Sequence, residues 1–187
     1  MHVIAFSWAS RTGKSTAMND LAQRFENEGK RVKVYPETGQ IYIDEHPGPI
    51  TDRYAFQDFI MKEEIKRIHE IKKYKEENAF DIILADRTFL DAFVYIYWAV
   101  IHGHITNADL MSNVEKEIKL SQELYDVVVF FDTMIIEDKN FADYNTPDLI
   151  WMFRHTMQSV YQEKHTHYPN NIEFEKDIDI FLEKYIK

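Results

Sequence analysis

The sequence contains no cysteine among its 187 residues. It therefore has no disulfide framework, no cysteine-ligated zinc site and no thiol nucleophile. Glycine is scarce as well, with only 5 residues, and this excludes collagen-like and glycine-rich low-complexity chains. Hydrophobic residues make up 45% of the chain, which is enough to close a core. The composition is that of a globular protein with one domain, or two at most.

Positive charge is also in short supply. Lys and Arg number 22 against 32 Asp and Glu, a net charge of −10. Such a balance argues against broad contact with a nucleic-acid backbone, but it leaves room for a small basic pocket. The longest apolar run, Phe93–Ile101, has nine residues, whereas a membrane-spanning helix needs about 20. The N-terminus has no signal-peptide pattern, so we expect a cytoplasmic protein with no membrane partner.

Short apolar runs alternate with helical patterns along the chain. The predicted strands are 3–6, 31–35, 80–85, 125–131 and 171–174. The predicted helices are 14–28, 52–77, 89–102, 107–122, 147 to about 165, and 176–186. This alternation predicts right-handed crossovers and a parallel sheet that is covered on both faces. We expect one α/β domain over residues 1–187, with three layers and a five-stranded parallel sheet.

Three segments between or within these elements carry specific expectations. Residues 36–50 are rich in proline and glycine and are predicted to form a functional loop. Residues 133–146 are polar and irregular, and we expect them to form a lid. The Lys- and Glu-rich half of the long helix, 62–77, is interpreted as a solvated face.

A phosphate-binding loop is predicted directly after the first strand. Gly13, Lys14 and Ser15 match the end of the pattern G-x-x-x-x-G-K-[ST], whereas Trp8 occupies the position of its first glycine. A glycine at this point lets the backbone approach a phosphate, and the following helix N-terminus attracts the anion. Lys14 is expected to reach the β- and γ-phosphates, and Ser15 to offer its hydroxyl to Mg²⁺. Arg11 lies inside the loop, where a guanidinium can act as an internal arginine finger.

Polar residues also follow the second and third predicted strands. Glu37 comes just after strand two, and Asp86 and Arg87 come at the end of strand three. Open parallel sheets bind ligands outside the carboxyl ends of their strands. An aspartate that ends an apolar strand beside a phosphate loop is the Walker B arrangement, in which the carboxylate orients Mg²⁺ or its water. These residues and the phosphate loop are therefore expected to meet at one edge of the sheet.

The chain resembles the P-loop nucleoside and nucleotide kinases, specifically the thymidylate kinase and deoxynucleoside kinase group. The residues that carry the resemblance are Arg11-Thr12-Gly13-Lys14-Ser15-Thr16, Glu37, and Asp86-Arg87-Thr88 with Ala92 and Tyr95 downstream. The likeness covers roughly residues 1–165 in element order. The segment 148–161, with Arg154, is also similar to the helix after the lid in nicotinamide riboside kinase-like P-loop proteins.

The resemblance implies an ATP-dependent kinase of deoxynucleotide metabolism that uses Mg²⁺. It implies an ATP site formed by Thr12, Gly13, Lys14, Ser15, Thr16 and Arg154. It implies that Ser15 and Asp86 hold Mg²⁺, and that the catalytic residues are Lys14, Arg11, Glu37, Asp86 and Arg87. On the acceptor side it implies Glu37 as the base toward a sugar hydroxyl, Arg87 as a contact and Gln57 as the reader of the base. A homodimer is a further expectation from the family.

The identity of the acceptor stays open at the level of sequence. Glu37 favours a nucleoside, because a phosphate acceptor needs no base. Arg11 together with a lid that contains no arginine favours a nucleoside monophosphate, as in one type of thymidylate kinase. Two further alternatives are a kinase acting on nucleic-acid ends or modified bases, against which the charge of −10 counts, and a degenerate nucleotide-binding regulatory protein, suggested by Trp8.

Overall fold

The computed structural model describes residues 1–7, 13–105, 114–131, 147–169 and 171–186. Its strands are β1 (His2–Ser7), β2 (Val32–Tyr35), β3 (Ile82–Asp86), β4 (Val127–Phe131) and β5 (His165–Tyr168). Its helices are α1 (Lys14–Asn27), α2 (Thr38–Glu45), α3 (Arg53–Glu77), α4 (Phe89–Ile101), α5 (Val114–Leu124), α6 (Pro147–Tyr161), α7 (Asn171–Lys176) and α8 (Ile178–Tyr185). The predicted lid and the loop residues 8–12 lie outside the described residues.

The five strands form one parallel sheet in the order β2-β3-β1-β4-β5. Along β1 the side chains alternate between two separate cores. Val3 and Ala5 belong to a core shared with α3, α4 and α6, whereas Ile4 and Phe6 belong to a core shared with α1, α7 and α8. Helices therefore cover both faces of the sheet, and the predicted three-layer α/β fold is confirmed.

The fifth strand was predicted in the wrong place. The chain forms β5 at His165–Tyr168, and residues 171–176 are helical instead. Among the strands that the structure describes, β5 pairs with β4 alone. It is therefore an edge strand and carries mostly polar side chains that are partly or fully exposed rather than an apolar run. The apolar signal of the predicted strand came from Phe174, which α7 buries in the core.

Two smaller predictions also need correction. The segment 36–50 is not all loop, because α2 occupies Thr38–Glu45 between the prolines. Helix α6 ends at Tyr161, and one turn of 3-10 helix at Gln162–Lys164 leads into β5. Within the described part of the chain, none of the helices is both long and apolar enough to cross a membrane.

A buried carboxylate fixes the chain where β3 passes into α4. Thr88 caps the helix, and its side chain and that of Asp91 form a reciprocal capping box. The same carboxylate accepts a hydrogen bond of 2.9 Å from the hydroxyl of Ser7 at the end of β1. Asp91 is fully buried. It therefore ties the end of β1 to the turn that follows β3.

Replacing Asp91 with alanine should strongly destabilise the fold. Asp91→Ala leaves the Ser7 hydroxyl and two donors of Thr88 buried without their acceptor, and we expect a loss of about 3 kcal/mol in the free energy of unfolding. Urea denaturation measures it. The matched control is Asp179→Ala, which removes an exposed ion pair with Arg24 and should cost less than about 1 kcal/mol. Equal losses in the two variants would contradict the role of Asp91.

Candidate functional site

The start of α1 has the backbone geometry of an anion site. Gly13 caps the helix in the left-handed region, with φ 85° and ψ 9°, a conformation that favours glycine. Its carbonyl accepts from the N–H of Ala17 at 3.0 Å and closes the first helical turn. Lys14, Ser15 and Thr16 form this first turn, where the helix dipole and the backbone N–H groups favour negative charge. The predicted loop residues Arg11 and Thr12 lie outside the described residues.

Lys14 points into the protein rather than into solvent. Its side chain is buried, with 3% of the residue exposed. Burial and the nearby charge of Arg87 lower the pKa of Lys14 to about 8, although Asp86 and Glu37 act in the opposite direction. A buried ammonium group of this kind is stabilised by any further negative charge that is placed beside it.

Asp86 ends β3 and faces the start of α1. One carboxylate oxygen, Oδ2, accepts a hydrogen bond of 2.6 Å from the hydroxyl of Ser15. The other oxygen, Oδ1, is buried and has no hydrogen-bond partner among the described residues. A carboxylate oxygen left over in this way, next to a serine hydroxyl, fits the preference of Mg²⁺ for a few hard oxygen ligands from the protein.

The donor set around Asp86 is small. Among the described residues there is no group of three or more acidic or histidine side chains that could hold a metal ion by itself. A protein that binds Mg²⁺ together with phosphate groups supplies only one or two carboxylates. Ser15 and Asp86 therefore fit a magnesium ion that is shared with a phosphorylated ligand.

Glu37 and Arg87 form an ion pair across the ends of β2 and β3. Arg87 Nε and Nη2 both contact Glu37 Oε1, at 2.8 and 2.7 Å. Arg87 Nη1 also donates to the hydroxyl of Tyr95 at 3.3 Å. Burial raises the pKa of the Glu37 carboxyl, but Arg87, Lys14 and Arg67 outweigh it and hold that pKa below its ordinary value. Glu37 is therefore a carboxylate at neutral pH.

Gln57 lies in the first half of α3 and is 3% exposed. Its amide oxygen is buried and has no hydrogen-bond partner among the residues that the structure describes. The preceding residue, Phe56, packs close to Gly39 of α2, and a Cβ at Gly39 would also lie 3.6 Å from Glu37 Oε1. Gln57 is thus carried by a part of α3 that packs beside Glu37.

Arg154 lies on α6 and is partly buried. Its neighbour Phe153 packs against Tyr95, with the ring centroids 4.9 Å apart. Helix α6 therefore approaches the Arg87 side of the site through Phe153. A contact between Arg154 and ATP stays a prediction.

Sequence reasoning missed a buried charged pair on α3. Glu64 and Arg67 are 2% and 4% exposed, so the interpretation of 62–77 as a solvated face is wrong at these two positions. Burial raises the pKa of Glu64, although Arg67 favours its charged form. The signal was present in the spacing, because both residues continue the stripe of Met61, Ile68 and Ile71 that faces the core.

Comparison with known proteins agrees with this fold. A family model described as AAA domain matches residues 3–173. No curated protein sequence matches the chain significantly. Among solved structures, deoxyadenosine kinase from M. mycoides is similar at a TM-score of 0.57 with dATP bound and 0.59 with the products dCMP and dCDP. The identity is 15% in both, over 97% of this chain and 98% and 97% of those chains. The predicted resemblance to P-loop kinases is confirmed at the level of the fold.

The ion pair between Glu37 and Arg87 predicts that replacing Arg87 will shift the pKa of Glu37 measurably. In Arg87→Met the strongest opposition to burial is removed, while Lys14 and Arg67 remain, so the pKa of the Glu37 carboxyl should rise above its value in the native protein. In the native protein this pair stabilises the fold above the pKa of unfolded Glu, and its contribution is lost as the pH falls through the folded pKa. Carboxyl ¹³C NMR titration measures both proteins.

Arg31→Met is the control for this titration. Arg31 forms a comparable contact with Asp81, at 2.9 Å, but at the opposite end of β3. Loss of the Arg31 side chain should leave the pKa of Glu37 unchanged. An unchanged Glu37 pKa in Arg87→Met would show that the ion pair does not form in solution.

Proposed function

The chain belongs to the AAA domain family, and we propose that it is an ATP-dependent kinase that phosphorylates a hydroxyl group of a small nucleoside. The observation that carries this proposal is the position of Glu37. A carboxylate that is held ionised lies at the same sheet edge as the buried Lys14, and the two charges influence each other. The ammonium group of Lys14 suits a phosphate, and the carboxylate of Glu37 suits a hydroxyl. The likeness to deoxyadenosine kinase structures supports the same class of acceptor.

Binding of the donor rests on the start of α1. We assign the triphosphate to the backbone N–H groups that follow Gly13 and to the ammonium group of Lys14. We assign Thr12 and Thr16 to the same phosphate site, Arg154 on α6 to the nucleotide, and Arg11 to the phosphoryl group during transfer. Ser15 and Asp86 would hold Mg²⁺, which would supply positive charge beside the phosphate oxygens.

Glu37 is assigned to the acceptor hydroxyl. Both contacts from Arg87 go to Oε1, so we assign Oε2 to the proton of the hydroxyl. The hydroxyl oxygen forms a bond to the γ-phosphorus of ATP, and the bond from that phosphorus to the bridging oxygen of ADP breaks. The proton passes to Glu37 and ADP leaves with the bridging oxygen. Arg87 holds Glu37 in place and contacts the acceptor.

Recognition of the base is assigned to Gln57. Its buried amide oxygen has no hydrogen-bond partner among the described residues, and such an atom is costly to leave unpaired. An N–H group of a nucleobase is a suitable donor. The neighbouring Phe56 lies beside Gly39 and Glu37, which is consistent with a pocket that holds the base on α3 and the sugar at Glu37.

Removal of Lys14 tests the donor site. Lys14→Ala should lower ATP-dependent phosphorylation by about 100-fold or more, because a buried group that stabilises the transferring phosphoryl group is lost. Release of ADP in the presence of a nucleoside measures the activity. Lys30→Ala is the control, since Lys30 is exposed and its removal should have no effect. Full activity in Lys14→Ala would overturn the assignment of a kinase.

A panel of acceptors distinguishes nucleosides from monophosphates. With the native protein we expect ADP release with a nucleoside. In Glu37→Gln this rate should fall by about 100-fold, because the amide cannot accept the proton. A monophosphate acceptor needs no base and should be insensitive to the change. Activity only with monophosphates, unaffected by Glu37→Gln, would replace the nucleoside by a nucleoside monophosphate as the substrate.

A further inference from the structure

A buried arginine on α3 connects the ends of two strands. Arg67 Nη2 donates to the carbonyl of Pro36 at 2.5 Å, and Arg67 Nη1 donates to the carbonyl of Asp86 at 3.2 Å. Pro36 follows β2 directly, and Asp86 is the last residue of β3. β2 and β3 are neighbours in the sheet. One guanidinium group therefore spans the two carboxyl ends between which the Glu37–Arg87 ion pair forms.

The orientation of Arg67 is itself fixed by buried partners. Glu64 Oε1 lies 3.0 Å from Arg67 Nη1, and the hydroxyl of Thr38 donates to the same carboxylate oxygen. Arg67 Nη2 also donates to Thr38 Oγ1 at 2.8 Å. Its guanidinium carbon lies 5.3 Å from the ring centre of Tyr35. These contacts hold the planar group in a single orientation, with its donors directed at the strand ends.

The contact with Asp86 completes the support of one peptide group. The N–H of Arg87 donates to the carbonyl of Phe6 on β1 at 2.8 Å, while the carbonyl of Asp86 accepts from Arg67. Both polar groups of the peptide between Asp86 and Arg87 are thus bonded, to opposite sides of β3. Arg87 has φ 78°, a left-handed conformation that costs about 1 kcal/mol or more in a residue other than glycine. Bonding at both ends of the preceding peptide holds this conformation.

We propose that Arg67, oriented by Glu64, is a positioning residue. It fixes the positions of Glu37 and Arg87 relative to each other and to the acceptor. Through Pro36 it fixes the start of the turn that carries Glu37, and through Asp86 it fixes the peptide from which Arg87 projects. Arg67 acts through these backbone groups and has no assigned contact with substrate. The role rests on the proposed kinase function, whereas the geometry it maintains can be measured without any activity.

Arg67→Lys is the informative variant. A lysine keeps the charge beside Glu64, but its single ammonium group cannot span two carbonyls and Thr38 in the way that the guanidinium fork does. We expect kcat with a nucleoside acceptor to fall about tenfold or more, because a small displacement of reacting groups has a large effect on rate. The Kd of ATP, measured by calorimetry, should stay within about twofold, because the start of α1 carries the proposed phosphate site and Arg67 bonds the backbone carbonyl of Asp86 rather than its carboxylate.

Two further variants separate positioning from general destabilisation. Glu64→Gln keeps an acceptor for Thr38 but removes the charge that orients Arg67. It should lower kcat, as Arg67→Lys does, while ATP still binds. Lys66→Gln changes an exposed charge on the same helix and should leave both quantities unchanged. A kcat that is unchanged in both Arg67→Lys and Glu64→Gln would overturn the proposal, as would parallel losses of kcat and of ATP-binding stoichiometry.

Crystal structures make the outcome independent of the kinase assignment. If the native protein phosphorylates no acceptor, the proposed function is wrong, but the structure of Arg67→Lys still tests the positioning role. The contact of 2.7 Å between Arg87 Nη2 and Glu37 Oε1 should then be lost or lengthened. If Arg67→Lys fails to fold, the same contact is measured in Glu64→Gln. An ion pair that is unchanged in the variant structure would overturn the positioning role.

Discussion

The ion pair between Glu37 and Arg87 links the ends of β2 and β3. The other charged groups at the carboxyl ends of the strands are arranged around it. Arg87 is buried, and a buried guanidinium group is tolerated only with a carboxylate beside it. Burial has the largest effect on the pKa of Lys14 and lowers it; Arg87 lowers it further, whereas Asp86 and Glu37 raise it. Both partners of the ion pair therefore contribute to the pKa of a lysine on a third element, α1.

Burial explains which parts of the fold and the site could be predicted from sequence. β1, β3 and β4 are interior strands of nearly continuous apolar residues, so their positions and the polar residues that follow them could be identified. Lys14 and Asp86 could be placed for this reason. β5 lies at the edge and carries His165 on a partly exposed position and His167 on an exposed one, so it gives no apolar run by which to recognise it.

The contacts between elements could not be predicted, because they depend on residues far apart in the chain. Glu64 and Arg67 look like members of a surface charge run until β2, α2 and β3 supply their partners. The left-handed backbone at Arg87 has no signature in the residue type, which usually avoids it. Sequence reasoning placed Glu37 and Arg87 at the same end of the sheet, but the ion pair between their side chains is known only from the structure.

Because its pKa is lowered to about 8, Lys14 would couple the binding of an anion at the proposed site to the uptake of protons. A phosphate group beside this lysine stabilises the ammonium form and raises its pKa, so a fraction of a proton is taken up on binding near pH 8. By linkage, the affinity for the anion falls as the pH rises through this range. The heat of binding then includes the ionisation enthalpy of the buffer, and buffers of different enthalpy report different heats for one ligand. A phosphate site built on this lysine, as proposed above, would take up protons together with its ligand.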